Sequence, residues 1–214
     1  MMELVIRNET EADYFEVEDM TRDAFWNLYV PGCEEHYLVH ILRGHKDFIP
    51  ELDCVALHDG KIVGSIFYTK SSVVDESGNV LDTLTFGPLC VKPEFQRKGV
   101  GRALIQHTKE IAIKMGYPAI IIYGSPHNYC VHGFKNCRDF NIANGEGRYP
   151  YAMLVLELKE GIFNGHQWKH YETPAFFEID HDKVEEFDRR FKHKEKGFQY
   201  SQVEFMMSCR AFLD

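Results

Sequence analysis

The stretch Leu89-Cys90-Val91-Lys92-Pro93-Glu94-Phe95-Gln96-Arg97-Lys98-Gly99-Val100-Gly101-Arg102 constrains the fold more than any other part of the chain. An apolar strand ends at a proline, a short basic turn with two glycines follows, and a helix opens behind it. A helix start presents N–H groups without intrahelical partners at the positive end of the helix dipole. Gly99 and Gly101 take side chains out of the approach, and Arg97, Lys98 and Arg102 add positive charge. The turn therefore reads as a seat for a phosphate-bearing ligand. The alternative is that the two glycines only permit close packing.

Bulk composition narrows the classes of function. A chain of 214 residues with 44% hydrophobic and 27% charged residues can bury one substantial core as a globular protein. The net charge of −9 argues against nucleic-acid binding by general electrostatics. No apolar run approaches the roughly 20 residues that cross a bilayer, and Met1–Arg7 does not resemble a secretion signal, so a cytoplasmic location is expected. The six cysteines form no CxxC pair. A metal cluster of His127, Cys130, His132 and Cys137 matches no common zinc spacing, so reduced thiols and no metal are expected.

Hydrophobic periodicity gives the order βααβββαβαββ. A strand at Leu4–Arg7 precedes a helix capped near Thr10–Asp13 and running to about Leu28; a shorter helix covers Glu34–Arg43. Cys54–Leu57 and Ile62–Tyr68 flank Asp59-Gly60, a strong hairpin signal, and Leu81–Val91 forms a third antiparallel strand. A helix spans Lys98–Met115 and ends at Gly116. Ala119–Tyr123 is continuously apolar, as in a strand covered on both faces. A short helix at His127–His132 and strands near Cys137–Ile142 and Tyr151–Leu158 complete a mixed α/β fold with a mostly antiparallel sheet flanked by helices. Residues 159–214 are rich in aromatics and read as an extension packed on the main domain of residues 1–158. That extension could wall an acceptor pocket or form a homodimer contact.

Gln96-Arg97-Lys98-Gly99-Val100-Gly101 resembles the Gln/Arg-x-x-Gly-x-Gly/Ala signature of the GCN5-related N-acetyltransferases (GNAT), and Tyr129-Cys130-Val131-His132-Gly133-Phe134 resembles that family's Tyr-x-x-x-Gly-Phe. The resemblance covers roughly residues 3–158. It implies an acyl-CoA N-acyltransferase fold and an enzyme that moves acetyl from acetyl-CoA to an amine of a small molecule or protein, by direct attack through a tetrahedral intermediate. It also implies that Leu89, Cys90 and Val91 pair with the pantetheine arm, and that the Val91 N–H faces the developing oxyanion. Gln96, Arg97, Lys98, Gly99, Val100, Gly101 and Arg102 would hold the pyrophosphate, and Tyr129 would protonate the departing thiolate. Gly124-Ser125-Pro126-His127-Asn128 is compressed relative to many relatives, which bears on the contacts expected of Asn128 and Ser125.

A base must also deprotonate the acceptor ammonium. Glu34, Glu35, His36 and Asp82 are the candidates, His36 foremost because of its ordinary pKa, and a water chain is the alternative. Trp26, Tyr29 and Phe48 are candidates to line the acceptor pocket, although core packing would explain them equally. A non-catalytic CoA-binding sensor or scaffold is the rival from another class.

Overall fold

Asp59 and Gly60 both take left-handed backbone angles (φ 49° and 74°), the geometry a tight hairpin requires, and around this turn the sheet is assembled. The computed structural model describes residues 2–214. In chain order the elements are β1 (Val5–Asn8), α1 (Tyr14–Phe25), α2 (Glu35–Leu42), β2 (Cys54–His58), β3 (Lys61–Asp75), β4 (Val80–Val91), α3 (Val100–Lys114), β5 (Ala119–Tyr123) and α4 (Pro126–Tyr129). They continue through β6 (Lys135–Asn136), β7 (Ile142–Ala143), β8 (Tyr149–Pro150), β9 (Met153–Glu157), β10 (Trp168–Tyr171), α5 (His181–Asp188), α6 (Tyr200–Arg210) and β11 (Phe212–Leu213). The main sheet runs β1-β2-β3-β4-β5-β9-β6, antiparallel throughout except where β4 lies parallel to β5. The expected mixed α/β architecture is therefore present.

Two departures from the sequence pattern matter. The expected strand at Cys137–Ile142 is mostly a 3-10 turn, Cys137–Phe140, between the two-residue strands β6 and β7. Strand β3 runs to Asp75, well past Tyr68, because its polar Thr69–Ser72 run is paired by β4 along one edge and, from Ser72, by β10 along the other. Strand β10 comes from the segment after residue 158 and also pairs with β7, so this segment completes the main sheet. Its Trp168-Lys169-His170-Tyr171 alternates buried and exposed, a period-2 signal present in the sequence.

The sheet buries both faces. Ile120 and Ile122 of β5 pack with Val100, Leu104 and Ile105 of α3. On the opposite face, Val55, Phe67 and Cys90 pack beneath Val17, Met20 and Leu38 of α1 and α2, while Ala119 and Ile121 meet Trp168.

The C-terminal segment is tied to the connection between α1 and α2. Arg22, 1% exposed, donates to both carboxylate oxygens of Asp188 (2.6 and 3.1 Å) and to the Lys192 carbonyl (3.0 Å). Asn27 exchanges hydrogen bonds with Glu195, Gly197 and Gln202, and the Ser201 hydroxyl donates to the Leu28 carbonyl. A buried charge left without its partner is destabilising by about 3–5 kcal/mol. Arg22→Met should lower stability by about that amount, read as a fall in the urea midpoint. The same variant should accelerate amide exchange across 189–202.

Candidate active site

The sheet opens between β4 and β5. Their pairing consists of one partnership, Leu84 with Ile120, after which β4 runs on to Val91 with only β3 beside it. The cause lies in β4 itself. Opposite Phe67 the register with β3 shifts, so that Gly87 and Pro88 together occupy the place of one residue. Such a bulge bends its strand and increases the local twist, carrying the end of β4 away from β5.

The edge exposed by this divergence has a defined polarity. The Lys92 N–H donates to the Val63 carbonyl (3.0 Å), and Cys90 lies opposite Ser65 in the same alternation. Alternate residues of a strand direct their N–H and C=O groups to opposite edges. Leu89 and Val91 therefore present theirs to the gap, and the Gln96 side chain caps the Val91 carbonyl (3.2 Å). Cys90 does not share this placement. Its backbone faces β3, and its thiol, pushed up to about 12 by burial, points beneath α1 with Sγ 3.5 Å from the Met20 carbonyl. The expectation that Cys90 contacts a ligand is corrected on that ground.

Beyond Val91 the chain makes a 3-10 turn at Pro93–Phe95 and reaches α3 through Gln96–Gly99, all solvent-exposed. Arg97 (φ 61°) and Gly99 (φ 93°) are left-handed, and the first helical bond runs from the Ala103 N–H to the Gly99 carbonyl. The Val100, Gly101 and Arg102 N–H groups precede that bond and have no intrahelical acceptor. Left-handed residues beside a helix start form an anion-binding concavity. Gly64 sets how closely α3 approaches: a Cβ there would lie 2.8 Å from Val100 Cγ1 and 2.9 Å from the Cys90 carbonyl. The sequence analysis missed Gly64; a glycine interrupting a β-branched strand is the signal that could have found it.

Tyr129 stands at the other end of the gap. Pro126 at the first helical position starts α4, and left-handed Gly133 (φ 92°) ends the 3-10 turn that follows. The Tyr129 ring packs against Phe86 (5.7 Å) and Phe134 (5.9 Å). Burial raises its phenol above the usual range, and the Tyr29 phenol raises it further, so the hydroxyl stays protonated. Gly124 makes room for that ring, since a Cβ would fall 2.4 Å from Tyr129 Cε2. Arg97 Nη2 lies 3.4 Å from His127 Nε2, which links the anion turn to α4, and Asn128 is exposed beside it.

The other candidates separate. His36 is 0% exposed, with Nδ1 3.3 Å from Cys33 Sγ and Nε2 3.2 Å from Asp188 Oδ1, outside hydrogen-bonding direction. Burial moves its pKa down to about 4, and Phe187 and Phe191 close over it. It is a core histidine, which corrects its place as the favoured base. Trp26 is also withdrawn: its indole donates to the Glu195 carbonyl (3.0 Å) and its ring lies under the Arg22 guanidinium (4.2 Å). Asp82 is exposed on the paired part of β4, Glu34 pairs with His181 (2.7 Å), and Phe48 packs on Phe67. Tyr29 stays near Tyr129, stacked on Phe205 (4.6 Å), its phenol raised by burial and then by Glu35.

This geometry offers an extended, free strand edge with an anion seat at one end and a protonated phenol at the other. The chain belongs to the acetyltransferase (GNAT) family, whose model matches residues 17–134. It is 35% identical over 124 residues to the uncharacterized N-acetyltransferase YjhQ of Escherichia coli, which spans 58% of this chain and 65% of that relative. It is 29% identical to the uncharacterized N-acetyltransferase YhbS of Escherichia coli over 76% of this chain and 92% of that one. Among solved structures, YhbS in complex with CoA superposes with a TM-score of 0.70 (22% identity, 84% of this chain, 95% of that one). A GNAT acetyltransferase from Brucella melitensis in complex with acetyl-CoA gives 0.62 (22% identity, 82% and 99%). No helix among the described residues is long and apolar enough to cross a membrane.

Two outcomes are expected. Because the folded pKa of His36 lies below its ordinary 6.5, its neutral burial favours the fold fully above pH 6.5, a contribution lost as the pH falls towards 4. An NMR titration should accordingly place the His36 ring transition near 4. Gly124→Ala should displace the Tyr129 ring and cost about 1–3 kcal/mol through overpacking, measured by denaturant unfolding.

Proposed function

We propose that the protein transfers acetyl from acetyl-CoA to a primary amine. The observation that carries this reading is the free edge of Leu89 and Val91 running directly into the left-handed turn at the start of α3. The donor sets of the site fit such a ligand: strand-like N–H and C=O groups suit the amides of a pantetheine arm, and the N–H groups of Val100, Gly101 and Arg102 suit a pyrophosphate. Arg97, Lys98 and Arg102 add charge at the same place, and Gln96 keeps the edge ordered through Val91. Asn128, exposed on α4, is assigned to the same ligand.

Bound there, acetyl-CoA supplies a thioester carbon that an amine nitrogen can attack. The residues around it divide the work. The strand edge holds the donor in place, which converts an encounter between two molecules into a local event. The Val91 N–H stabilises negative charge on the carbonyl oxygen. The Tyr129 hydroxyl protonates the departing sulfur; burial keeps the phenol protonated, so its proton is in place when the thiolate forms. The six free thiols accord with a cytoplasmic setting, and none is assigned a role in transfer.

The test separates binding from chemistry. Tyr129→Phe should lower kcat by about a hundredfold or more while acetyl-CoA still binds, followed by thiol release and by calorimetry. Gly64→Ala should act on the other half: by pushing the start of α3 outward it should raise the Kd for acetyl-CoA. Absence of any heat with acetyl-CoA in the well-folded parent protein would overturn the reading.

A further inference from the structure

Helix α6 carries apolar side chains on two faces, and only one of them is covered. Toward the body of the protein, the Ser201 hydroxyl donates to the Leu28 carbonyl (2.7 Å) and the Gln202 amide to the Asn27 carbonyl (2.9 Å), while Phe205 stacks on Tyr29 (4.6 Å). Residues three and four apart share a helix face. Tyr200, Val203, Met207 and Arg210 keep that spacing on the opposite side, where Tyr200 is 83% exposed, Met207 68% and Val203 44%. A helix that is apolar all round belongs in an interior, yet the outer half of α6 faces solvent.

The helix is fastened at both ends. Before it, the Gly197 N–H donates to Asn27 Oδ1 (3.0 Å). After it, β11 pairs antiparallel with β8, the Tyr151 N–H donates to the Ala211 carbonyl (2.9 Å), and the Arg148 guanidinium lies over the Phe212 ring (3.7 Å). An element held this firmly loses little conformational freedom when another surface meets it. The apolar stripe continues past the first turn, because the exposed Phe198 ring stands 5.6 Å from that of Tyr200. With Met206, Glu204 and Arg210 on the flanks, Phe198 and the outer face of α6 offer on the order of 800 Å², the share that each partner of a stable complex contributes.

The chemistry of the stripe says what covers it. A helix that lies on a membrane carries a strongly charged face rich in Lys and Arg. Helix α6 has one charge of each sign, Glu204 and Arg210, and the net charge of −9 is repelled by anionic lipid. The stripe fits a reversed copy of itself instead. About a two-fold axis level with Phe205, the antiparallel order sets Val203 against Met207 of the second copy and Tyr200 against Arg210 of the second copy. Each contact then occurs twice, as in any interface where one patch meets itself. The apolar pair excludes water, and a guanidinium over a phenol ring is attractive. Arg210 has no carboxylate partner among the described residues, so its guanidinium is free for that ring. We infer that the protein forms a two-fold dimer through the outer faces of two antiparallel α6 helices. Since the inner face of α6 holds the Asn27–Leu28 backbone, the contact also braces the connection between α1 and α2. This inference is independent of the acetyl-transfer reading.

The experiment measures the mass of the full-length protein by light scattering over a concentration series, with sedimentation equilibrium for the dissociation constant. The parent should run at twice the mass of one chain. Met207→Asp and Val203→Asp each place a carboxylate at the centre of the contact and should run as monomers. Both positions are exposed in the single chain, so circular dichroism of these variants should match the parent. Val80→Asp, at a comparably exposed apolar site opening β4, should remain a dimer. Tyr200→Arg sets like charges against each other and should raise the dissociation constant about tenfold or more, whereas Tyr200→Phe keeps the ring and should leave it within about threefold. A parent that stays monomeric throughout the series, a dimer that persists in Met207→Asp, loss of the dimer in Val80→Asp, or a Tyr200→Arg dimer as tight as the parent's would each overturn the inference. Sedimentation of the parent with phosphatidylcholine–phosphatidylserine vesicles, abolished by Met207→Asp, would overturn it too and give this face to a lipid surface.

Discussion

The whole site depends on one backbone event, the parting of β4 from β5 beyond Leu84 and Ile120. An interior strand of a sheet normally satisfies its polar groups on both edges. Here β4 keeps only β3 along its last residues, and the groups of Leu89 and Val91 turn to the gap, where the Gln96 side chain takes the Val91 carbonyl. The two-residue bulge at Gly87-Pro88 produces that bend, and packing on both faces makes it durable. Val100 and Leu104 hold the α3 side, and α1 with α2 holds the other. A free strand edge inside a well-packed core is thus a consequence of rigid surroundings.

The two glycines that matter most lie outside the basic turn. Gly64 lets α3 settle onto the sheet, which brings its N-terminus to the end of the free edge, and Gly124 lets the Tyr129 ring lie against the backbone just after β5. Each controls the placement of a group at the gap without facing the gap itself. Positioning of this kind is a matter of packing: the single carbon of a Cβ would displace a helix start or a phenol.

The C-terminal segment plays a comparable part. It completes β3 through β10, covers His36 with Phe187 and Phe191, and pins the Asn27–Leu28 backbone through hydrogen bonds. Tyr29 follows directly on the stretch so pinned, and Phe205 stacks on it. The Arg22–Asp188 pair is the electrostatic fastener of this arrangement, because Asp188 is the carboxylate that meets the buried guanidinium. The aromatic load of residues 159–214 thereby finds its use mostly in covering α1 and α2.

The amino-acid order was sufficient to define the hairpin at Asp59-Gly60, the strand–turn–helix of Leu89–Arg102, the short helix bearing Tyr129 and the family to which they belong. All of these are local patterns in which spacing and turn chemistry act within a few residues. Tertiary structure decided what no local pattern encodes. His36 and Trp26 look like site residues in sequence, but His36 becomes a core residue under α5 and the half-buried Trp26 is tied to the Glu195 carbonyl. Cys90 lies within the signature yet turns its thiol into the core, since strand alternation sends neighbours to opposite faces and a third partner, α1, fills that side. His170 is silent in sequence and comes beside Tyr123 (6.2 Å between rings) only because β10 joins β3 nearly a hundred residues away in the chain. Contacts between distant segments depend on how whole layers stack, and a single side chain's character says nothing of what will be laid over it.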